Sequence, residues 1–180
     1  MPELVTQNDP GLAMPEHKVL IGGVYRGKLI RAGRIIEEFE DENIVVNQGL
    51  NALLNIGLGS QAQITQWYLG LFSGNYTPVS SDTAASISAN SSETTVYTAG
   101  ARQLFVPTTS TTQSITNSAS TASFTFNATA AIYGAFLASS SIISGTSGYL
   151  MSAAQFGTVK NVVSGDQLLL TYTFNASSTS

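Results

Sequence analysis

Few residues in this chain could do acid–base or nucleophilic chemistry. His17 is the only histidine, and there is no cysteine. A serine triad would depend on His17 alone, and no Gly-x-Ser-x-Gly elbow is present to expose a nucleophile. His17 follows Pro2, Pro10 and Pro15 and reads as a surface side chain. No Cys/His spacing suits a transition metal. The acidic run Glu37, Glu38, Glu40, Asp41 and Glu42 could offer oxygens to a hard cation, but it lacks the alternating Asp-x-Asp-Gly order of a calcium loop. It reads as a charged strand end. Paired carboxylates for glycoside hydrolysis would have to come from that run or from Asp82, Glu93 and Asp166, which fall near predicted turns. No phosphate-cradling glycine motif follows a strand. The expectation is a chain with no catalytic residues, no metal site and no cofactor. Trp67 and the tyrosines could stack on sugars, but Trp67 sits inside an apolar run and reads as core.

The charged residues are too few and too unevenly placed to suggest a conventional charged surface. Charged side chains make up 10% of the 180 residues, against roughly 25% in globular chains. Of the 18, 13 lie in residues 1–42, and the rest are Asp82, Glu93, Arg102, Lys160 and Asp166. Residues 43–180 contain 42 Ser and Thr instead. A surface so poor in charge does little to repel neighbours, which favours dense assembly. The net charge of −4 supplies no basic stripe for nucleic acid. No apolar run is long enough to span a bilayer. The N-terminus has no signal-peptide pattern, which predicts synthesis in the cytoplasm. Four Asn-x-Ser/Thr triplets, at Asn75, Asn90, Asn127 and Asn175, read as chance matches.

The elements that must carry these residues follow from periodicity. Residues 1–18 read as an extended N-terminal arm, because their prolines fix φ and bias preceding residues away from helix. Leu4, Val5, Leu12 and Met14 are its apolar anchors. A disordered terminus and an arm laid on a neighbouring subunit are the two readings. Residues 19–43 form a charged hairpin with Gly33 in its turn; Arg26, Lys28, Arg31 and Arg34 lie near the acidic run in sequence, and opposite charges on facing strands would pair modestly. The arm anchors and these four basic residues are the candidate docking surface.

Residues 44–180 are expected to form a β-sandwich, jelly-roll or Ig-like, with one short helix near 48–57 capped by Asn47. Trp67–Phe72 and Ala131–Leu137 are apolar on both faces and read as central strands. Some helix could follow Asp82. A strand is expected at Gly148–Gln155, with Phe156–Val163 as a link. In Val162–Asn175, Ser164-Gly165-Asp166 is a turn, and Leu168, Leu170, Tyr172 and Phe174 then share one face of a central strand. Asp166 reads as a turn former without a partner.

Four segments, in order, resemble the small β-sandwich structural proteins of tailed-bacteriophage virions. They are Val46-Asn47-Gln48-Gly49-Leu50-Asn51 with Leu53-Leu54; Trp67-Tyr68-Leu69-Gly70-Leu71-Phe72-Ser73-Gly74 with Thr77-Pro78 and Asp82-Thr83; Ile132-Tyr133-Gly134-Ala135-Phe136-Leu137; and Val163-Ser164-Gly165-Asp166-Gln167-Leu168 through Tyr172. Tyr133 stands where such proteins would have an acidic residue. The resemblance implies a non-enzymatic virion component, with capsid decoration or cement ahead of a tail, neck or fibre part. It implies other virion proteins as partners, the major capsid protein among them, and a homo-oligomer, trimers being common. A glycan-binding module on the particle is the second alternative. No nucleic acid or membrane partner is expected.

Overall fold

A computed structural model describes residues 18–179. The arm anchors Leu4, Val5, Leu12 and Met14, and His17, lie outside the described residues. The chain is mainly β. Among the described residues, ten strands run in two antiparallel five-stranded sheets, with two helices.

The first sheet has the order β2 (Arg34–Glu42), β1 (Lys18–Arg31), β10 (Gln167–Thr179), β6 (Ser114–Thr116), with β7 (Ala122–Thr125) also paired to β10. The second has the order β3 (Ile44–Val45), β9 (Leu150–Val162), β8 (Ala130–Ala138), β4 (Trp67–Phe72), β5 (Gln103–Phe105). Helix α1 (Asn47–Gly57) follows β3, and α2 (Ala84–Asn90) follows β4.

β10 is the central strand that its alternation predicts. Leu168, Leu170 and Tyr172 are fully buried between the sheets, and β1 pairs with it from Lys18↔Thr179 to Ile30↔Gln167. The charged hairpin and the last strand therefore share one sheet. Between β6 and β7 the ladder on β10 is interrupted, and the buried Asn117 fills the gap. Its side-chain amide donates to the Leu170 carbonyl at 3.2 Å and accepts from the Tyr172 N–H at 2.7 Å, as a backbone pair would.

The main core lies between the sheets. Tyr25, Leu29, Phe124 and Tyr172 of the first sheet meet Leu69, Leu71, Ile132 and Leu137 of the second. A second cluster sits on the far side of the second sheet, where Ile87 and Ala84 of α2 cover Phe72, Phe136 and Leu150. Burial on both sides explains why β4 and β8 are apolar throughout: alternate residues enter alternate clusters. Gly134 is required by this packing, because a Cβ there would meet the Phe72 ring and the Ala154 carbonyl oxygen.

Three local expectations need correction. The cap of α1 is Val46, with no side-chain cap bond, and Asn47 is already helical. Gln48 ties the helix start into the fold instead, its Oε1 accepting the N–H groups of Ala84 and Leu150, both at 2.8 Å. The helix allowed after Asp82 forms as α2, so the fold carries two helices where one was expected, and α2 starts at a Thr83–Ser86 capping box. The link expected at Phe156–Val163 is strand. β9 continues to Val162 by bulging where its register jumps between Ile132 and Gly134 of β8. The exposed residues 157–159 hide the strand period.

Candidate functional site

The hairpin turn is built by Ala32 and Gly33, both at positive φ (49° and 76°), the geometry that matches strand twist in a two-residue loop. Together with a bulge in β2 at Ile36, which shifts the register by one residue, it sets β1 against β2 with Val24↔Glu42, Arg26↔Glu40 and Lys28↔Glu38 opposite one another. Tyr25, Gly27 and Leu29 point inward and are buried, so Arg26 and Lys28 point out. The expected cross-strand pairs form there: Arg26 donates to Glu40 at 2.7 Å, and Lys28 lies 2.9 Å from Glu38. All four side chains are about half exposed, so each pair contributes under about 1 kcal/mol.

Arg31 has the parity of the inward residues but lies past the end of the core. It therefore reaches across to the β9–β10 turn and grips Asp166 with two hydrogen bonds, at 2.9 and 2.7 Å. Asp166 is thus both a turn former, accepting the Val163 N–H at 2.9 Å, and an ion-pair partner, which corrects the unpartnered reading. The hydrogen bonds from Arg31, assisted by that N–H against the effect of burial, hold its carboxyl below the usual carboxylate range. Arg34 sits opposite Arg31 beside the turn and is exposed.

On the inward side of β2, Glu37 receives the buried Lys160 Nζ at 2.7 Å. That ammonium also donates to Thr158 and lies 4.3 Å from the centre of the Phe39 ring. Asp41 accepts the Gly157 N–H at 2.7 Å. The acidic run is thus divided by strand period: Glu38 and Glu40 face out, while Glu37 and Asp41 clamp β9.

Beside the paired charges the outer face of the first sheet forms an open groove of about 720 Å³. Arg26, Lys28, Glu38 and Glu40 make one wall, and Leu169, Thr171, Thr173 and Thr116 are among its other lining residues. Its polar groups are hydroxyls and ion pairs already joined to each other. They suit hydrogen bonding to another surface.

The other carboxylates considered for hydrolysis are engaged in structure. Asp82 accepts from the Tyr76 hydroxyl and the Val79 N–H, each at 2.9 Å, and from the Ser86 hydroxyl at 3.1 Å. Glu93 and Arg102 form a fully buried bidentate pair at 2.7 and 2.8 Å. Glu93 also accepts from Ser88 and Ser144, and Arg102 donates to the Ser140 carbonyl. Among the described residues, no group of three or more His, Asp or Glu is placed to hold a metal ion. Trp67 is half-buried against the main core. Tyr25 and Tyr172 stack at 4.4 Å in the interior, and burial pushes both phenols above their ordinary pKa.

One feature had no sequence signal. All five charges beyond residue 42 have buried side chains: Asp82, Glu93, Arg102, Lys160 and Asp166. The exposed charges of the described residues all lie on the hairpin. Scarcity of charge was visible in the sequence; its removal from the surface depends on partners distant along the chain. Compared with protein-family models, curated proteins and solved structures, the chain matches none.

Proposed function

We propose that this chain is a non-enzymatic structural protein of a tailed-bacteriophage particle, a capsid decoration or cement protein that binds the head surface and stabilises it. The observation that carries this reading is the division of charge. The sandwich presents neutral hydroxyls, while the exposed ionic groups of the described residues are gathered on β1 and β2. A neutral body packs closely against neighbours, and a localised ionic face gives docking an orientation. The sequence resemblance to phage virion proteins supports the same class. Other virion proteins, the major capsid protein first, are the partners it implies.

The test is incorporation into heads of the phage that carries the gene. Removing residues 1–18, or reversing Arg26 and Lys28 to Glu, should lower occupancy on heads while the sandwich remains folded. Full occupancy in both variants refutes docking through the arm and hairpin. Electron microscopy of labelled particles separates this reading from a tail, neck or fibre position. The hydroxyl-lined groove favours glycan binding as a second reading, and a glycan array without hits refutes it.

A further inference from the structure

We infer that the free edge of β1 at Lys18–Gly22 pairs with the same edge of a second copy of this chain, joining two first sheets across a twofold axis. This inference is independent of where the protein acts.

The segment stands apart from the body of the sheet. β2 pairs with β1 only from Val24 onward, and the Asn43 N–H bonds to the Gly23 carbonyl. On that side, Lys18–Gly22 has no strand partner among the described residues. On the other side β10 pairs with it to the end. The result is a two-stranded ribbon with an open edge.

Its side chains are those of a buried strand. Val19, Leu20 and Ile21 are 68%, 55% and 38% exposed. Alternation places Leu20 on one face and Val19 with Ile21 on the other, so both faces of the ribbon carry apolar groups. Folded chains usually guard an open edge with charge. The β2 edge of this same sheet is so guarded, by Glu38, Glu40 and Glu42. The β1 edge carries charge only where it begins, at Lys18: between Val19 and Val24 there is no charged residue.

A second copy fits this edge better than a foreign strand because the segment is self-complementary. In antiparallel pairing centred on Leu20, Leu20 faces Leu20 and Val19 faces Ile21, giving apolar cross-strand pairs on both faces. Lys18 then faces Gly22, with no like charge opposite. The end of each β2 closes the window at Gly23, so the register cannot slide far. The contact is isologous and closed, as a twofold pair requires.

Sedimentation of the full chain over a concentration series tests this. The mass should rise from one chain toward two in the wild type. Leu20→Lys and Leu20→Glu should each remain single chains with unchanged circular dichroism and melting, because each sets like charges face to face. Mixing the two variants should restore the pair, because Lys then faces Glu. The inference is overturned by a wild type that stays monomeric, by a Leu20→Lys variant that still associates, or by a mixture that does not. It is also overturned if removal of residues 1–17 abolishes association while Leu20→Lys leaves it intact, since that segment would then be the occupant.

Discussion

Replacing Arg102 by Met tests how the sandwich tolerates charge in its interior. Met keeps much of the length of the side chain and removes the guanidinium. In the native fold Glu93 accepts from Arg102 at 2.7 and 2.8 Å, from the Ser88 hydroxyl at 2.8 Å and from the Ser144 N–H at 2.7 Å, with no exposure of either charged side chain. Arg102→Met leaves a buried carboxylate with two neutral donors. Breaking a buried pair in this way costs about 3–5 kcal/mol. At about 2–4 °C per kcal/mol for a domain of this size, the melting temperature should fall by roughly 6–20 °C. The double variant Arg102→Met with Glu93→Gln removes the stranded charge and should recover at least about 1 kcal/mol relative to additivity. Urea denaturation of the four proteins of the cycle measures this. A single-variant cost below about 1 kcal/mol, or a double variant additive to within about 0.5 kcal/mol, would refute the claim that the pair is desolvated and coupled.

Two further outcomes follow from the packing. Asp166→Asn should lower stability at neutral pH. Because the native carboxyl titrates below its unfolded value, its stabilisation is present above the unfolded pKa of about 4 and is lost as pH falls through the depressed native value. The wild-type and variant melting curves should therefore converge in acid, and a constant gap from pH 7 to strong acid contradicts the Arg31–Asp166 account. Gly134→Ala should cost about 1–3 kcal/mol by overpacking, since the Ala154 carbonyl oxygen it meets belongs to a paired strand and cannot yield; an unchanged denaturation midpoint would show that β8 and β9 have room to part.

The elements most legible in the sequence were those whose burial follows a local period. β10 was readable from Leu168, Leu170 and Tyr172, and β4 and β8 from unbroken apolar runs. The hairpin and the nearness of its basic and acidic residues were readable from Gly33 and the flanking runs, but the Arg26–Glu40 and Lys28–Glu38 pairs were not: a two-residue turn alone sets Lys28 against Glu37, and a bulge at Ile36 shifts the register by one residue. Less legible was whatever depended on a distant partner. Asn47 has the chemistry of a cap, yet Val46 holds that position, while Gln48 bonds to groups 36 and 102 residues away. The second half of β9 lost its period because the strand bulges there and leaves residues 157–159 exposed, with β2 holding it through Gly157 and Lys160. For the candidate docking surface, the residue types were visible at Arg26, Lys28, Arg31 and Arg34, but not the division of labour. Strand parity and the end of the core turn Arg31 into a brace while Arg26 and Lys28 line the groove.

By itself the sequence determined a mainly β chain with a hydroxyl-rich body and its charge concentrated before residue 43, because composition and two-residue alternation are local properties. Only the tertiary structure decided which charges meet solvent. Glu93 finds Arg102, Lys160 finds Glu37 and Asp166 finds Arg31 through strand pairing and turn placement. Desolvating an ion is tolerable only where its counter-charge is already held in place, and that condition is a property of the fold.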